Sequence, residues 1–135
     1  MSSTVDPAAG AEFGLRRIHQ IAVTVQDVER ATAFYRDALG MPLLFRAPAG
    51  LSFFDCGGVR LMLSLPEGAE TPRGNSILYY GVDDIEAAHG TLVRRGVRFI
   101  GDPHVVARLP DREVWLAEFR DSEGNVLALM SERAH

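Results

Sequence analysis

The chain has 135 residues and a formal charge of −4, and all 14 of its basic residues are Arg. Without Lys, Schiff-base catalysis, a Lys general base and a phosphate-gripping P-loop Lys are excluded; with Cys56 as its one Cys, so are an internal disulfide and any multi-Cys zinc or iron–sulfur centre. The net acidity and the sparse basic patches, Arg16-Arg17 and Arg94-Arg95 with Arg98, argue against a nucleic-acid partner, and no apolar run approaches the roughly 20 residues of a membrane span.

Residues 1–15 are rich in Ala, Gly and Ser, with no basic start and no apolar centre. They read as a flexible tail and not as an export signal, so the cytoplasm is the expected location. Residues 16–135 read as a single domain. Arg17–Val25 is a β-branched strand. Asp27 caps a helix over Val28–Leu39, whose apolar residues recur at helical spacing, and Gly40 stops it. Strands follow at Leu43–Arg46, Leu51–Asp55 and Val59–Leu65, the last two joined through Cys56-Gly57-Gly58, a tight hairpin signal. Pro66–Asn75 is a Pro- and Gly-containing linker.

The same grammar then restarts. Ile77–Val82 is a strand, and Asp83-Asp84 caps a helix with Ile85, Ala88, Leu92 and Val93 on one face, ended by Gly96. Strands near Val97–Ile100, His104–Arg108, Val114–Arg120 and Val126–Ser131 complete the second half, with a turn at Asp121–Asn125. Aligning Val25-Gln-Asp27-Val with Val82-Asp-Asp84-Ile brings the two helix stops into register within about one residue. The chain therefore reads as two βαβββ modules, residues 17–66 and 76–132, the second longer by roughly ten residues within Gly101–Glu113.

His19-Gln-Ile-Ala-Val-Thr-Val-Gln-Asp, Phe34-Tyr-Arg-Asp-Ala-Leu-Gly40 and Phe119-Arg-Asp-Ser-Glu-Gly-Asn125 together resemble the vicinal oxygen chelate superfamily, which unites glyoxalases, bleomycin resistance proteins and dioxygenases. The text is most similar to its small bacterial glyoxalase-like members. The resemblance implies an α+β fold, in which two βαβββ modules form a curved mixed β-sheet cleft flanked by helices, and a homodimer. It also implies four metal-ligand positions on the concave sheet. Carried over onto this chain, they fall on Gln20, seven residues before the capping Asp27, on its counterpart Ile77, and on Met62 and Ala128 of the last strands. Three of these side chains offer neither oxygen nor imidazole to a hard cation. The expectation is a cleft without the usual metal and without another cofactor. A divalent ion (Ni, Zn, Fe or Mn) enters only in an alternative with a relocated site.

The remaining candidates follow from strand alternation. Tyr79 shares parity with Ile77 and should face the cleft. Glu118 lies three residues before Asp121, on the face opposite Phe119, and suits a general acid or base, unless it pairs with Arg120 or Arg60. His104 and Arg108 share a strand face in the inserted stretch, where Arg108 suits a bidentate grip on a substrate carboxylate or phosphate. The alternative there is a hairpin held by His–Asp and Arg–Glu contacts. Trp115 stacks on a planar ligand or, in parity with Phe119, packs in the core. His19 falls on the face opposite Gln20, His89 on a helix surface, His135 at the terminus, and Cys56 in a hairpin away from any His.

The expected site thus has Glu118 and Tyr79 as catalytic candidates. Gln20, Met62, Ile77, Tyr79, Arg108, His104, Trp115, Glu118 and Ala128 contact a small-molecule ligand. Three functions fit: metal-independent binding of an apolar or aromatic molecule; a glyoxalase-type lyase or isomerase, or a dioxygenase-like enzyme, using Gln20 and Glu118 with His104; and a drug- or toxin-sequestering resistance protein.

Overall fold

Asp27 and Asp84 each accept a hydrogen bond from the third residue after them, Arg30 and Ala87, so the two halves of the chain start their helices in the same way. The computed structural model describes residues 13–48, 50–66 and 76–134. Most of the expected tail, linker residues 67–75 and His135 lie outside them. The first half runs β1 (Gln20–Thr24), α1 (Val28–Ala33), β2 (Leu43–Ala47), β3 (Leu51–Cys56) and β4 (Val59–Ser64). The second runs β5 (Leu78–Gly81), α2 (Ile85–Arg94), β6 (Arg98–Phe99), β7 (His104–Arg108), β8 (Arg112–Arg120) and β9 (Val126–Ala134). No helix among these residues is long and apolar enough to cross a membrane.

Each half closes its own mixed sheet, in the order β1-β4-β3-β2 and β5-β9-β8-β6, with β7 also on β8. The first strand of each half lies parallel to its last, β1 on β4 and β5 on β9. Parallel neighbours require a crossover, and the helix supplies it. Gly57 and Gly58 both take positive φ, 63° and 92°, as the two-residue turn between β3 and β4 requires.

Two details depart from the sequence expectation. The first helix widens after Ala33 into a π-helical segment, Phe34–Ala38, in which the Leu39 N–H donates to the Phe34 carbonyl at 3.1 Å. The second concerns the insertion. β6 and β7 lie one after the other along β8, pairing Arg98 with Arg120 at one end and Arg108 with Glu113 at the other. The extra residues therefore interrupt one edge strand and lengthen the hairpin beside it.

The helix-side faces meet in one core. Tyr35, Phe54, Leu63, Ile85 and Phe119 are almost wholly buried, and residues of both halves belong to the same apolar cluster. Burial of these side chains at roughly 1.5–3 kcal/mol each is the main source of stability.

A polar seam runs beside this core. Asp121, itself buried, accepts from the Tyr35 hydroxyl at 2.8 Å, from the Glu123 and Asn125 amides at 2.8 Å each, and from Asn125 Nδ2 at 2.9 Å. Asn125 Nδ2 also donates to the Thr24 carbonyl at 3.2 Å. Glu123 accepts from the backbone amides of Gln26 and Asp27 at 3.0 Å each, and from Arg30 Nε and Nη2 at 2.7 and 2.9 Å. The β8–β9 turn of the second half thus sits on the start of α1 in the first, and the two halves pair within one chain.

Arg30 above all holds the Glu123 carboxyl down to a pKa of about 2, against the opposing cost of burial and with help from Ser122 and the two amides. Its folded value lies below the ordinary 4.5, so its stabilisation is complete above that pH and is lost as pH falls toward 2. Glu123→Gln is expected to cost roughly 2 kcal/mol at neutral pH, allowing for screening at the half-exposed Arg30, and to flatten the acid limb of the stability profile. Urea unfolding of both proteins from neutral pH down to about pH 3 checks this, and parallel profiles would sink the assignment.

Tyr35→Phe leaves Asp121 its three turn donors, so it is expected to cost about 1–2 kcal/mol. Asp121→Ala, which strands a buried hydroxyl and two amides, should cost more in the same assay. The reverse order would contradict the role given to Asp121.

Candidate functional site

Paired residues on neighbouring strands point to the same face, so the registers decide which side chains stand together. Ile21, Val23, Leu61, Leu63 and Phe54 of the first sheet, and Leu127, Leu129, Ala117 and Phe119 of the second, go to the helices. Their alternates form a helix-free face on each sheet.

On the first sheet this face carries the row Ala22–Met62–Phe53–Phe45, with Gln20, Arg60 and Asp55 in the next row. Arg60 Nε donates to Gln20 Oε1 at 2.7 Å, and the Gln20 amide nitrogen stands 3.9 Å from the Met62 sulfur. The Arg60 guanidinium lies 5.5 Å from the centroid of Phe53, whose ring stacks on Phe45 at 4.6 Å. No carboxylate among the described residues forms an ion pair with Arg60. The result is an aromatic surface with one planar cation beside it.

On the second sheet, Tyr79, Ala128 and Glu118 align across β5, β9 and β8 as one row. Tyr79 is 52% exposed and Ala128 fully buried beneath its neighbours. Neither suggested cation neutralises the half-buried Glu118: Arg120 donates to the Gly124 carbonyl and Arg60 to Gln20. The next row runs Gly81–Met130–Leu116–His104, so His104 shares the face of Glu118. Its Nδ1 is 2.8 Å from the Asp102 carbonyl oxygen. Ile77 stands one residue before β5, partly exposed.

Two expected ligand contacts are corrected by the register. A β-bulge between Val105 and Ala107 shifts the pairing, so that His104 opposes Leu116 while Arg108 opposes Glu113. Leu116 and Glu113 are an odd number of residues apart, and His104 and Arg108 therefore face opposite sides. Arg108 is committed to an ion pair with Glu113. Trp115 pairs with Ser131 and packs against the helix-side core, with the Arg133 guanidinium 4.3 Å from its ring centroid. The core alternative for Trp115 and the Arg–Glu alternative for the hairpin are the ones observed.

Phe45 and Phe53 were not among the expected contacts. Phe53-Phe54 puts one ring on each face of β3, and only the pairing with Met62 tells which is which.

The four carried-over ligand positions do not suit a hard divalent cation. Gln20 offers an amide oxygen already engaged by Arg60, Met62 a thioether, and Ile77 and Ala128 only hydrocarbon. Among the described residues no three His, Cys, Asp or Glu side chains gather to hold an ion elsewhere.

Comparisons with known proteins bear on the fold. The uncharacterized protein YraH of Bacillus subtilis (strain 168) is 26% identical over 129 residues, spanning 84% of this chain and 96% of its own length. The mitochondrial methylmalonyl-CoA epimerase of Homo sapiens is 28% identical over 116 residues, 75% of this chain and 66% of the epimerase. The crystal structure of TnmS3, an antibiotic binding protein from Streptomyces sp. CB03234, superposes with a TM-score of 0.71 at 27% identity, covering 89% of this chain and 98% of that one. The family model of the Glyoxalase/Bleomycin resistance protein/Dioxygenase superfamily matches residues 17–129. With two helix-crossed mixed sheets and a match over most of its length, the chain belongs to that superfamily.

Proposed function

We propose that the helix-free faces bind a small, largely apolar or aromatic molecule without a divalent metal. The observation that carries this reading is the set Gln20, Met62, Ile77 and Ala128 at the positions where the superfamily would hold its ion. The thioether of Met62 and the hydrocarbon of Ile77, both reachable from solvent, favour contact with an apolar ligand. The stacked Phe45–Phe53 pair offers a flat partner to an aromatic ring, and Arg60 meets an acidic substituent on it. Tyr79, Glu118 and His104 supply the polar contacts on the second sheet. The similarity to an antibiotic binding protein supports a sequestering role of this kind.

Elemental analysis of protein purified without chelator tests the metal-free part. Well under 0.1 equivalent of Ni, Zn, Fe or Mn per chain is expected, because transition metals at open sites need imidazole, carboxylate or thiolate donors. Near one equivalent would overturn it.

A thermal-shift screen of aromatic and carboxylate metabolites tests the ligand class. A ligand at 100 times its Kd stabilises by about 2.7 kcal/mol, well within reach of the assay. Ala128→Phe, which adds a ring to the Tyr79–Ala128–Glu118 row, should remove the response to any hit. A hit unaffected by that change binds elsewhere.

The free carboxylate of Glu118 favours a second reading, an isomerase or lyase of the glyoxalase type. In it Glu118 removes a proton next to a substrate carbonyl and returns it at another position or face, which balances without any oxidant. The similarity to an epimerase supports this reading. Glu118→Gln is then expected to lower turnover about a hundredfold or more, with ligand affinity within about twofold. Recovery of chemically unaltered ligand after prolonged incubation would leave sequestration as the function.

Two copies of the chain belong to the same proposal. Leu44 on the edge strand β2, and Ile100 and Val106 beside and on β7, are about half exposed and suit burial against a second copy.

A further inference from the structure

Arg95, which the helix-free faces leave unused, caps the end of α2 beside a cavity of about 300 Å³. The cavity lies on the helix side of the second sheet, away from the faces described above. Met41, from just beyond the π-helical segment, walls it on one side; Tyr80, Phe119, Ala88 and Leu92 wall the rest. It sits at the seam between the two halves of the chain.

Its lining is almost all hydrocarbon, and what polarity it has is positive or unpaired. Arg95, exposed to solvent at the rim, donates through Nη1 to the Ala38 carbonyl at 3.1 Å, and no carboxylate among the described residues pairs with it. The hydroxyl of Thr91, which also lines the cavity, accepts from Arg94 Nη2 at 3.3 Å. The Tyr80 hydroxyl is buried with no hydrogen-bond partner among the described residues. Apolar surface lining such a hollow gains contacts and loses water when an apolar molecule fills it.

We propose that this cavity is a second binding site, for a small apolar monoanion such as an aromatic or medium-chain carboxylic acid. The hydrocarbon body fills the space between α2 and the sheet, and the carboxylate meets Arg95 at the rim. An engineered apolar cavity of about 150 Å³ admits benzene, so one of this volume takes a fused bicyclic ring. The cation at the rim selects an acid over a neutral molecule of the same shape. The site is independent of the function proposed for the helix-free faces.

The test titrates the full chain with 2-naphthoate and with its neutral counterpart 2-naphthylmethanol, followed by calorimetry and by amide chemical shifts. The expected result is binding of the acid with shifts gathered in α2, β8 and β9. Arg95→Gln should weaken the acid roughly fivefold to tenfold and the alcohol less than about twofold, the difference reflecting one charge-assisted contact at a partly solvated rim. Ala88→Leu, which fills the cavity, should abolish both, and Thr91→Leu serves the same purpose where Ala88→Leu does not fold. Three results overturn the proposal: no binding of either compound at millimolar concentration, shifts confined to the Tyr79–Ala128–Glu118 face, or an equal loss of acid and alcohol in Arg95→Gln.

Discussion

A carboxylate placed inside a protein must be surrounded by donors or it unfolds its surroundings. Asp121 is placed there, and its donors come from both halves of the chain: the hydroxyl of Tyr35 from the first, the turn amides and Asn125 from the second. Satisfying that one group fixes the β8–β9 turn against the first helix. Glu123, two residues on, then lies where the amides of Gln26 and Asp27 are unpaired, and Arg30 closes over it. The phenol of Tyr35 is locked in its neutral form, first by burial and then by the charge of Asp121, so its donation to the carboxylate persists at any pH at which the fold survives. The mutual orientation of the two sheets, and so of everything on their helix-free faces, depends on this seam.

The chemistry of those faces follows from the arithmetic of alternation. Each helix claims the large aliphatic and aromatic residues of odd or even parity from the strands beneath it, and the other parity is left to solvent or ligand. In the first half that remainder is Gln20, Ala22, Arg60, Met62, Phe53 and Phe45; in the second it is Tyr79, Ala128, Glu118, Leu116 and His104. The set is amphipathic: on the first sheet Arg60 stands in register opposite Asp55, and on the second Glu118 shares its face with Arg120, with no ion pair between either couple among the described residues. Arg60 and Glu118 therefore keep hydrogen-bonding capacity for an incoming molecule. An ion-binding face would need acids gathered together; here they are spread out.

The elements were largely legible in the sequence, because capping and turn signals are local. Asp27 and Asp84 announced helices, and Cys56-Gly57-Gly58 and Asp121–Asn125 announced hairpins, all as found. The row of Tyr79 and Glu118 was legible too, since neither strand is irregular there and parity carries across the whole segment. Parity failed at Val105–Ala107, where a bulge shifts the pairing and flips the side chains beyond it, Arg108 included. Nothing in His104–Arg108 as text marks that extra residue. The Phe45–Phe53 stack was hidden by a second shift of register, between Leu43 and Phe45 of the β2–β3 hairpin. The cavity under α2 was illegible for a different reason: it joins segments far apart in the chain, whose approach is a property of packing and leaves no local signature.

The absence of Lys acquires a physical meaning from these placements. An ammonium is a compact, strongly hydrated charge, and it resists lying against an apolar surface; a guanidinium is planar, weakly hydrated and stacks. Arg60 lies over Phe53 and Arg133 over Trp115, each keeping N–H groups in its plane for Gln20 and Glu86 respectively. Arg95 stands at the rim of an apolar cavity while one of its N–H groups satisfies the last carbonyl of the π-helical segment. In each case a cation is held at the boundary of apolar surface with donors still directed sideways. A Lys at these positions would either withdraw to solvent or lose its hydration without a second donor direction to offset the loss. The same property that lets these residues pack as part of the wall makes Arg60 and Arg95 able to recognise a carboxylate on a molecule that is otherwise hydrocarbon.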